Sequence, residues 1–536
     1  MASGPSGSSP DSPEDSEGSL RPSQGRDGAS SEEHADGGSA DIGRETVTGI
    51  SWQAAANLVQ FVARFGFSII LARILLPEDF GVVAVATLAT GFASTLTDLG
   101  LGPALIQRKS VSSGHIRSCF TFSTLAALAM GTLLFLSAGA LASLFNEPRV
   151  EPVLQLLSIT FPLSGVSITS RALLTRDLRF KTLVKIQLVA TILGSGVLSV
   201  ILAWMGFGYW ALVWGQLGQG VGSSLLTYAA ARHSLRPLFA AEPFKELFGF
   251  SFGMSLTSTV NYFALQGDYF VIGRMMDSAA LGFYSRAYSL MQLPLSFLGG
   301  AISRVMFPVA SRVQDQPERF RRAFLATFNL SLAFALPVSL VLGILAPELI
   351  IALYGEKWAR TIPLLQILSL FGVFRMTYNS AAAFVRAKGQ VYRLLLSQLF
   401  YATVVLAGSW YGASVGGLEG VAWGVGGAIV VMWTMVVGFA LVAAGVGLLS
   451  FVREVTAVAL PALAISALTF AATWGLRSTG IGSWGVLLLA GPLFVILFAG
   501  YLIIQGRRID HPAIHKILGR IPGISRWAPR PSQTGT

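Results

Sequence analysis

From residue 47 onward the chain is a succession of apolar runs, each about 20 residues long, separated by short polar turns. At ~1.5 Å rise per residue, a helix of that length crosses the ~30 Å hydrocarbon core of a bilayer. In lipid every backbone amide must be satisfied within the chain, so runs of this length read as helices and not strands. Charged residues make up 12% of the chain and mean hydropathy is +0.63, whereas soluble domains carry ~25% charge. The expected fold is an all-α polytopic membrane protein. Fourteen spans fit, near 48–72, 80–104, 119–143, 153–173, 183–204, 208–230, 247–272, 280–303, 323–345, 361–384, 392–412, 417–444, 455–475 and 483–505.

Residues 1–46 are a different material. They are rich in Ser, Gly, Pro and acids, and ten acids against Arg21, Arg26 and Arg44 give a net charge of −7. No apolar face can form, so an acidic disordered tail is expected there, and a signal peptide is not. The remainder carries +18 of the total +11. With one cysteine, Cys119, no internal disulfide or cysteine-built metal site is expected. No phosphate-cradling Gly-rich loop or metal-spaced His/Cys/Asp cluster is present, and no loop between spans exceeds about 20 residues. We therefore expect no cofactor, no metal and no enzymatic activity. An ATP-driven pump would need another subunit. A membrane glycosyltransferase or polymerase would need a large catalytic loop that this chain lacks.

Lys and Arg near span ends set orientation. With a cytoplasmic N-terminus, 27 of them fall on the cytoplasmic side. Six fall opposite: Arg73, Arg149, Arg274, Lys357, Arg360 and Arg477. Both termini are thus expected in the cytoplasm. The basic balance is a topology signal, and no nucleic acid is implied.

The chain repeats at an offset of 201. Gly66 falls on Gly267, Arg73 on Arg274, Gly81 on Gly282, and "SIILARILLPEDFG" overlays "YFVIGRMMDSAALG". Transporters are commonly built from two such halves with the substrate site between them. The expected divisions are a tail at 1–46, a six-helix bundle at 47–231, a linker at 232–246 and a second six-helix bundle at 247–445. Two further spans at 446–506 and a basic tail at 507–536 complete the chain.

In "ISWQAAANLVQFVARFGFSII" (50–70), Gln53, Asn57, Gln60 and Arg64 are spaced 4, 3, 4. They share one helical face, and a lipid-facing helix would not carry such a stripe. The 201 offset maps Asn57, Gln60 and Arg64 onto Ser258, Asn261 and Leu265, with Asp268 one turn on. Span 8 repeats the spacing with Ser285, Ser289, Gln292 and Ser296, beside Arg286 and Pro294. Span 2 carries Thr87, Thr90, Ser94 and Thr97 beside Asp98, and span 10 carries Arg375 and Asn379. Small hydroxyl residues also simply permit close helix packing. Arg73, Arg274, Arg304 and Arg386 lie near span ends, where snorkelling to the interface accounts for them. Trp52, Tyr262, Tyr284 and Tyr288 suit an interfacial belt as well as a sugar-stacking role. Arg64, Arg286 and Arg375 are different: three arginines on three helices, with few acids to cancel them, make a cationic cavity. Arginine pairs bidentately with phosphate oxygens, and the amides beside it suit sugar hydroxyls. The inferred ligand is an anion of phosphate or pyrophosphate type.

Residues 73–108, "RILLPEDFGVVAVATLATGFASTLTDLGLGPALIQR", with "LLTRDLRFKTL" (173–183) and "GFGYWALVWGQL" (206–217), resemble the Wzx-type polysaccharide flippases. These belong to the multidrug/oligosaccharidyl-lipid/polysaccharide exporter superfamily. The resemblance is most specific over about 45–240 and continues to about 445. It implies two six-helix bundles around a central cavity, plus two C-terminal helices. The implied partners are a polyprenyl-pyrophosphate-linked oligosaccharide, the bilayer of the bacterial inner membrane, a polysaccharide polymerase, and a proton or sodium ion that drives transport. In related lipid flippases arginines on spans 1, 2 and 8 bind the pyrophosphate. Arg64 and Arg286 match spans 1 and 8. Span 2 has no mid-membrane arginine, and Arg375 is the candidate substitute. Asp268, then Asp98, are the candidates for ion coupling. Competing readings are a drug or cation antiporter, which should have an acidic cavity, and a lipid II flippase.

Overall fold

The computed structural model describes residues 59–97, 101–108, 110–238, 258–259 and 261–508. These residues are helical almost throughout, with no strand among them. The first repeat contains α1 (59–74), α2 (Pro77–Thr97), α3 (Leu101–Gln107), α4 (Ser113–Leu144), α5 (Val150–Ser158) and α6 (Thr160–Arg176). It continues through α7 (Phe180–Ala190), a π-helical turn (Thr191–Leu198), α8 (Ser199–Trp204) and α9 (Tyr209–Ala230). The second contains α10 (261–275), α11 (Ser278–Arg312), α12 (Pro317–Ile344), α13 (Ala346–Leu353), α14 (Thr361–Ala387) and α15 (Val391–Ala444). Two more helices follow, α16 (Leu448–Ser478) and α17 (Ser483–Arg508).

The sequence places a boundary between two spans at 412–417. There α15 leaves helical geometry at Gly416 and at Gly417, whose φ is 58° and ψ −140°, a conformation that favours glycine. The 54-residue helix is therefore a hairpin of two spans. Glycines hold its arms together: a Cβ on Gly412 would lie 2.1 Å from the Gly420 carbonyl oxygen, and one on Gly424 2.2 Å from that of Gly408. Such close backbone approach is how helices associate where lipid offers no hydrophobic driving force.

The 201 repeat closes on itself. A Cβ on Gly81 would lie 1.6 Å from the Ser278 carbonyl oxygen, and one on Gly282 would lie 1.9 Å from that of Pro77. Residues 77 and 278 are themselves equivalent by the offset, so the starts of α2 and α11 interlock reciprocally. The turns before them are capped differently. In the first repeat Asp79 accepts the Leu76 amide at 2.9 Å and Pro77 opens the helix. In the second, Asp277 is an N-cap that accepts from the Ala280 amide at 2.7 Å.

The same end carries a second tie between halves. Lys357 donates to the carbonyls of Arg73 (2.9 Å) and Leu75 (2.7 Å), and the Trp358 indole donates to Ala72 (2.9 Å). These satisfy the orphan carbonyls at the end of α1. In return Arg73 donates to the carbonyls of Leu353 (2.9 Å) and Ala352 at the end of α13. Snorkelling, the reading that position alone suggests for Arg73, is replaced by this mutual capping.

The two last helices lie on the second half. α16 packs on α12, and α17 on α16 and α13. Arg477 forms a bidentate pair with Glu348 at 2.7 and 2.9 Å. Most of their surface is open, as suits helices facing lipid.

Candidate functional site

A cavity of about 620 Å³ lies between the two repeats, walled by α1, α2, α9, α10 and α11. α1 turns Phe61, Arg64, Ser68 and Leu71 into it, three or four residues apart, so the polar face at Arg64 runs on through Ser68. α11 contributes Ser285, Arg286, Ser289 and Gln292, and α2 contributes Thr87. The π turn matters here: π segments recur at functional sites because they re-aim side chains, and Ser195 and Ser199, within and just after it, reach the wall. Glycines let α9 approach this turn; a Cβ on Gly194 would lie 2.3 Å from the Gln219 amide nitrogen.

Arg64 is exposed to the cavity and has no ion pair among the described residues. Arg286 is held. Its Nη1 donates to the Ser68 hydroxyl at 2.7 Å, its guanidinium carbon lies 4.5 Å from the Phe80 ring centroid, and its Nε is buried without a hydrogen-bond partner. No carboxylate lines the cavity among the described residues. Two guanidiniums with no carboxylate among the described wall residues make this wall electropositive.

The remaining sequence candidates separate from this wall. Arg375 is not part of it. Its guanidinium sits 5.5 Å over the Tyr288 ring, with Nη1 buried and unpartnered. Asp268 is 3% exposed and accepts from the Tyr284 hydroxyl at 2.6 Å and the Tyr269 amide at 3.0 Å. Tyr269, Tyr284 and Tyr288 touch one another with ring centroids 5.6–6.0 Å apart. Arg375 is near enough to act electrostatically on Asp268. The two charges thus form a buried nest in the second half, and Tyr269 belongs both to it and to the cavity wall. Gln60 is half-buried and off the wall, and Asn261 is exposed and accepts from Gln398 Nε2 at 3.1 Å. Gln53, Asn57 and Asp98 lie outside the described residues.

Sequence reasoning missed Gln216 and Gln219 of α9, Gln266 of α10 and Tyr354 after α13, all in the wall. Gln216 and Gln219 had a signal. With Ser223 they are spaced 3, 4, the periodicity that singles out Arg64. Gln216 Nε2 lies 3.4 Å from the Thr87 hydroxyl, and Gln219 Nε2 lies 3.2 Å from that of Thr191.

The fold is that of known transporters. The structure of "Lipid II flippase MurJ, inward closed conformation" superposes with a TM-score of 0.69 at 14% identity, over 85% of this chain and all of that one. An inward-facing multidrug resistance MATE family transporter of the MOP superfamily gives 0.56 at 16% identity, over 74% and 95%. In sequence the chain is 29% identical over 388 residues to the succinoglycan biosynthesis transport protein ExoT of Rhizobium meliloti (strain 1021), covering 71% of this chain and 78% of that protein. It is 26% identical over 380 residues to the lipopolysaccharide biosynthesis protein WzxC of Escherichia coli (strain K12), covering 69% and 76%. A family model described as polysaccharide biosynthesis protein matches residues 70–363, more than half of the chain, and the chain belongs to that family.

Proposed function

We propose that this protein is a flippase that carries a polyprenyl-pyrophosphate-linked oligosaccharide across the cytoplasmic membrane by alternating access, for export of a surface polysaccharide. One observation carries the reading: Arg64 and Arg286, with no carboxylate among the described wall residues, face a single cavity built from equivalent helices of two repeats. A cation antiporter would need the opposite charge there. The names of the relatives, a succinoglycan transport protein and a lipopolysaccharide biosynthesis protein, agree with a glycan cargo. In this reading Arg64 and Arg286 hold the pyrophosphate, and Gln292, Gln216 and Gln219 meet the first sugar. Asp268 in its tyrosine nest, with Arg375 beside it, takes up the coupling ion or proton. Both termini are cytoplasmic, so the end with Arg73 and Lys357 faces outward and is closed.

The test is made in cells depleted of the protein, by extracting lipids and identifying polyprenyl-pyrophosphate species by mass spectrometry. Build-up of a sugar-loaded carrier in the cytoplasmic leaflet supports the reading and names the glycan. An unchanged carrier pool together with altered tolerance to cationic drugs overturns it.

A further inference from the structure

A second cavity of about 310 Å³ lies wholly in the first repeat, between α2, α6, α7 and α9. It is at the lower end of the ~300–1,000 Å³ range of ligand sites. Gln216 and Gln219 line both cavities, so the two share a wall. The lining is unusual for a helix bundle in lipid. Ser94, Ser164, Gln187 and Ser223 supply hydroxyl and amide groups, and Phe161 is the one aromatic residue among the described lining. Some hydroxyls are spent on their own helices, as Ser164 is on the Phe161 carbonyl at 2.8 Å. Gln187 and Ser223 make no side-chain hydrogen bond among the described residues. A packing interface would have closed on such groups, because an amide facing an empty space in lipid gains nothing.

The described lining holds one charged residue. Arg171, on α6, is exposed, and its guanidinium has no hydrogen bond or ion pair among the described residues. No carboxylate lines the space among the described residues. A lipid tail or an apolar drug would want aromatic and aliphatic walls. Vicinal hydroxyls, each both donor and acceptor, match serines and carboxamides, and a planar guanidinium matches a carboxylate.

We propose that this cavity binds the glycan of the cargo beyond its first sugar, and that Arg171 selects glycans carrying an anionic group on a sugar. This rests on the cargo reading above. The main cavity fixes the pyrophosphate, Gln216 and Gln219 meet the sugar that spans the shared wall, and the next sugar enters the polar space with its carboxylate at Arg171.

The test uses the full-length protein in lipid nanodiscs and three synthetic polyprenyl diphosphates: sugar-free, ending in glucose on a disaccharide, and ending in glucuronic acid on the same disaccharide. Arg171→Gln is expected to weaken the glucuronate probe about tenfold or more, as loss of a charge-assisted contact does, and to leave the other two unchanged. Ser94→Phe, which fills the space, is expected to weaken both sugar-bearing probes and spare the sugar-free one. If wild-type protein binds all three and neither variant alters any, the cavity assignment is overturned and the cargo reading stands. An equal loss of both sugar probes in Arg171→Gln overturns the charge selection. Failure of wild-type protein to bind even the sugar-free probe overturns the cargo reading and this inference with it.

Discussion

Arg286 is held on two sides, where Ser68 takes Nη1 and Phe80 underlies the guanidinium, while its buried Nε has no hydrogen-bond partner. Phosphate oxygens are the natural complement, because a planar fork can keep its ring contact while it donates to two of them. Arg64→Gln and Arg286→Gln should each weaken binding of a polyprenyl diphosphate about tenfold or more in nanodiscs, since a hydrogen bond to a charged group is worth ~1.5–3 kcal/mol. Arg286→Lys should recover only part, because an ammonium cannot both lie on Phe80 and donate bidentately. Arg375 predicts a different phenotype. Removing it leaves Asp268 buried without its nearby cation, which is destabilising. Arg375→Gln should therefore lower Tm, and adding Asp268→Asn should restore much of it. A double variant as unstable as the sum of the singles would show that the two charges do not depend on each other.

At the scale of elements, glycine decides where helices touch. The α15 hairpin closes through Gly408, Gly412, Gly420 and Gly424, so Gly412→Val should splay its arms and lower Tm by several degrees, where Leu406→Val on the same arm does little. The hairpin was legible in the sequence, since paired glycines between two apolar runs mark a break. The α9 face was harder to read. Its glutamines sit in "GQLGQGVG", where glycines signal packing, and both signals are true: Gly215 abuts Ser199 of α8 while Gln216 reaches the cavity. The π turn that brings Ser195 into the wall lies against α9, and no periodicity in the sequence marks it. Tyr354 reaches the cavity from a turn after α13, which no periodicity locates. Asp268 was legible as a polar residue in an apolar span, but its partner was not: the fold supplies Tyr284 from the next helix. Periodicity finds faces, and only the packed structure says which faces meet.

At the scale of the molecule, the end that carries Arg73 and Lys357 joins the repeats through three kinds of contact. α1 and α13 cap each other through Arg73, Lys357 and Trp358. Arg149 reaches Glu147 at 2.8 Å, Glu78 at 3.5 Å and the Ser278 hydroxyl at 3.1 Å, so one guanidinium ties the start of α2 to the start of α11. Arg149 holds the Glu147 carboxyl below its ordinary 4.5. A depressed folded-state pKa contributes stability that is present above the unfolded value and is lost as pH falls through the folded one. The contribution is at most about 1 kcal/mol for a pair this open. The Tm advantage of wild type over Glu147→Gln should thus hold at pH 7 and vanish as pH drops below about 4.5. The reciprocal glycine contact is the stricter lock, because backbone meets backbone and no side chain can yield. In Gly81→Val the start of α2 must leave Ser278, and the closed end must open. The natural cysteine is buried, so a cysteine introduced at Ser68 in the cavity wall reports accessibility against a quiet background. Labelling of that cysteine by a membrane-impermeant maleimide, applied from the side of Arg73 and Lys357, should rise in Gly81→Val and again in Gly282→Val, the equivalent position one repeat on. If neither substitution raises labelling while both proteins remain folded, the interlock is a packing detail, and the mutual capping of α1 and α13 must hold that end shut by itself.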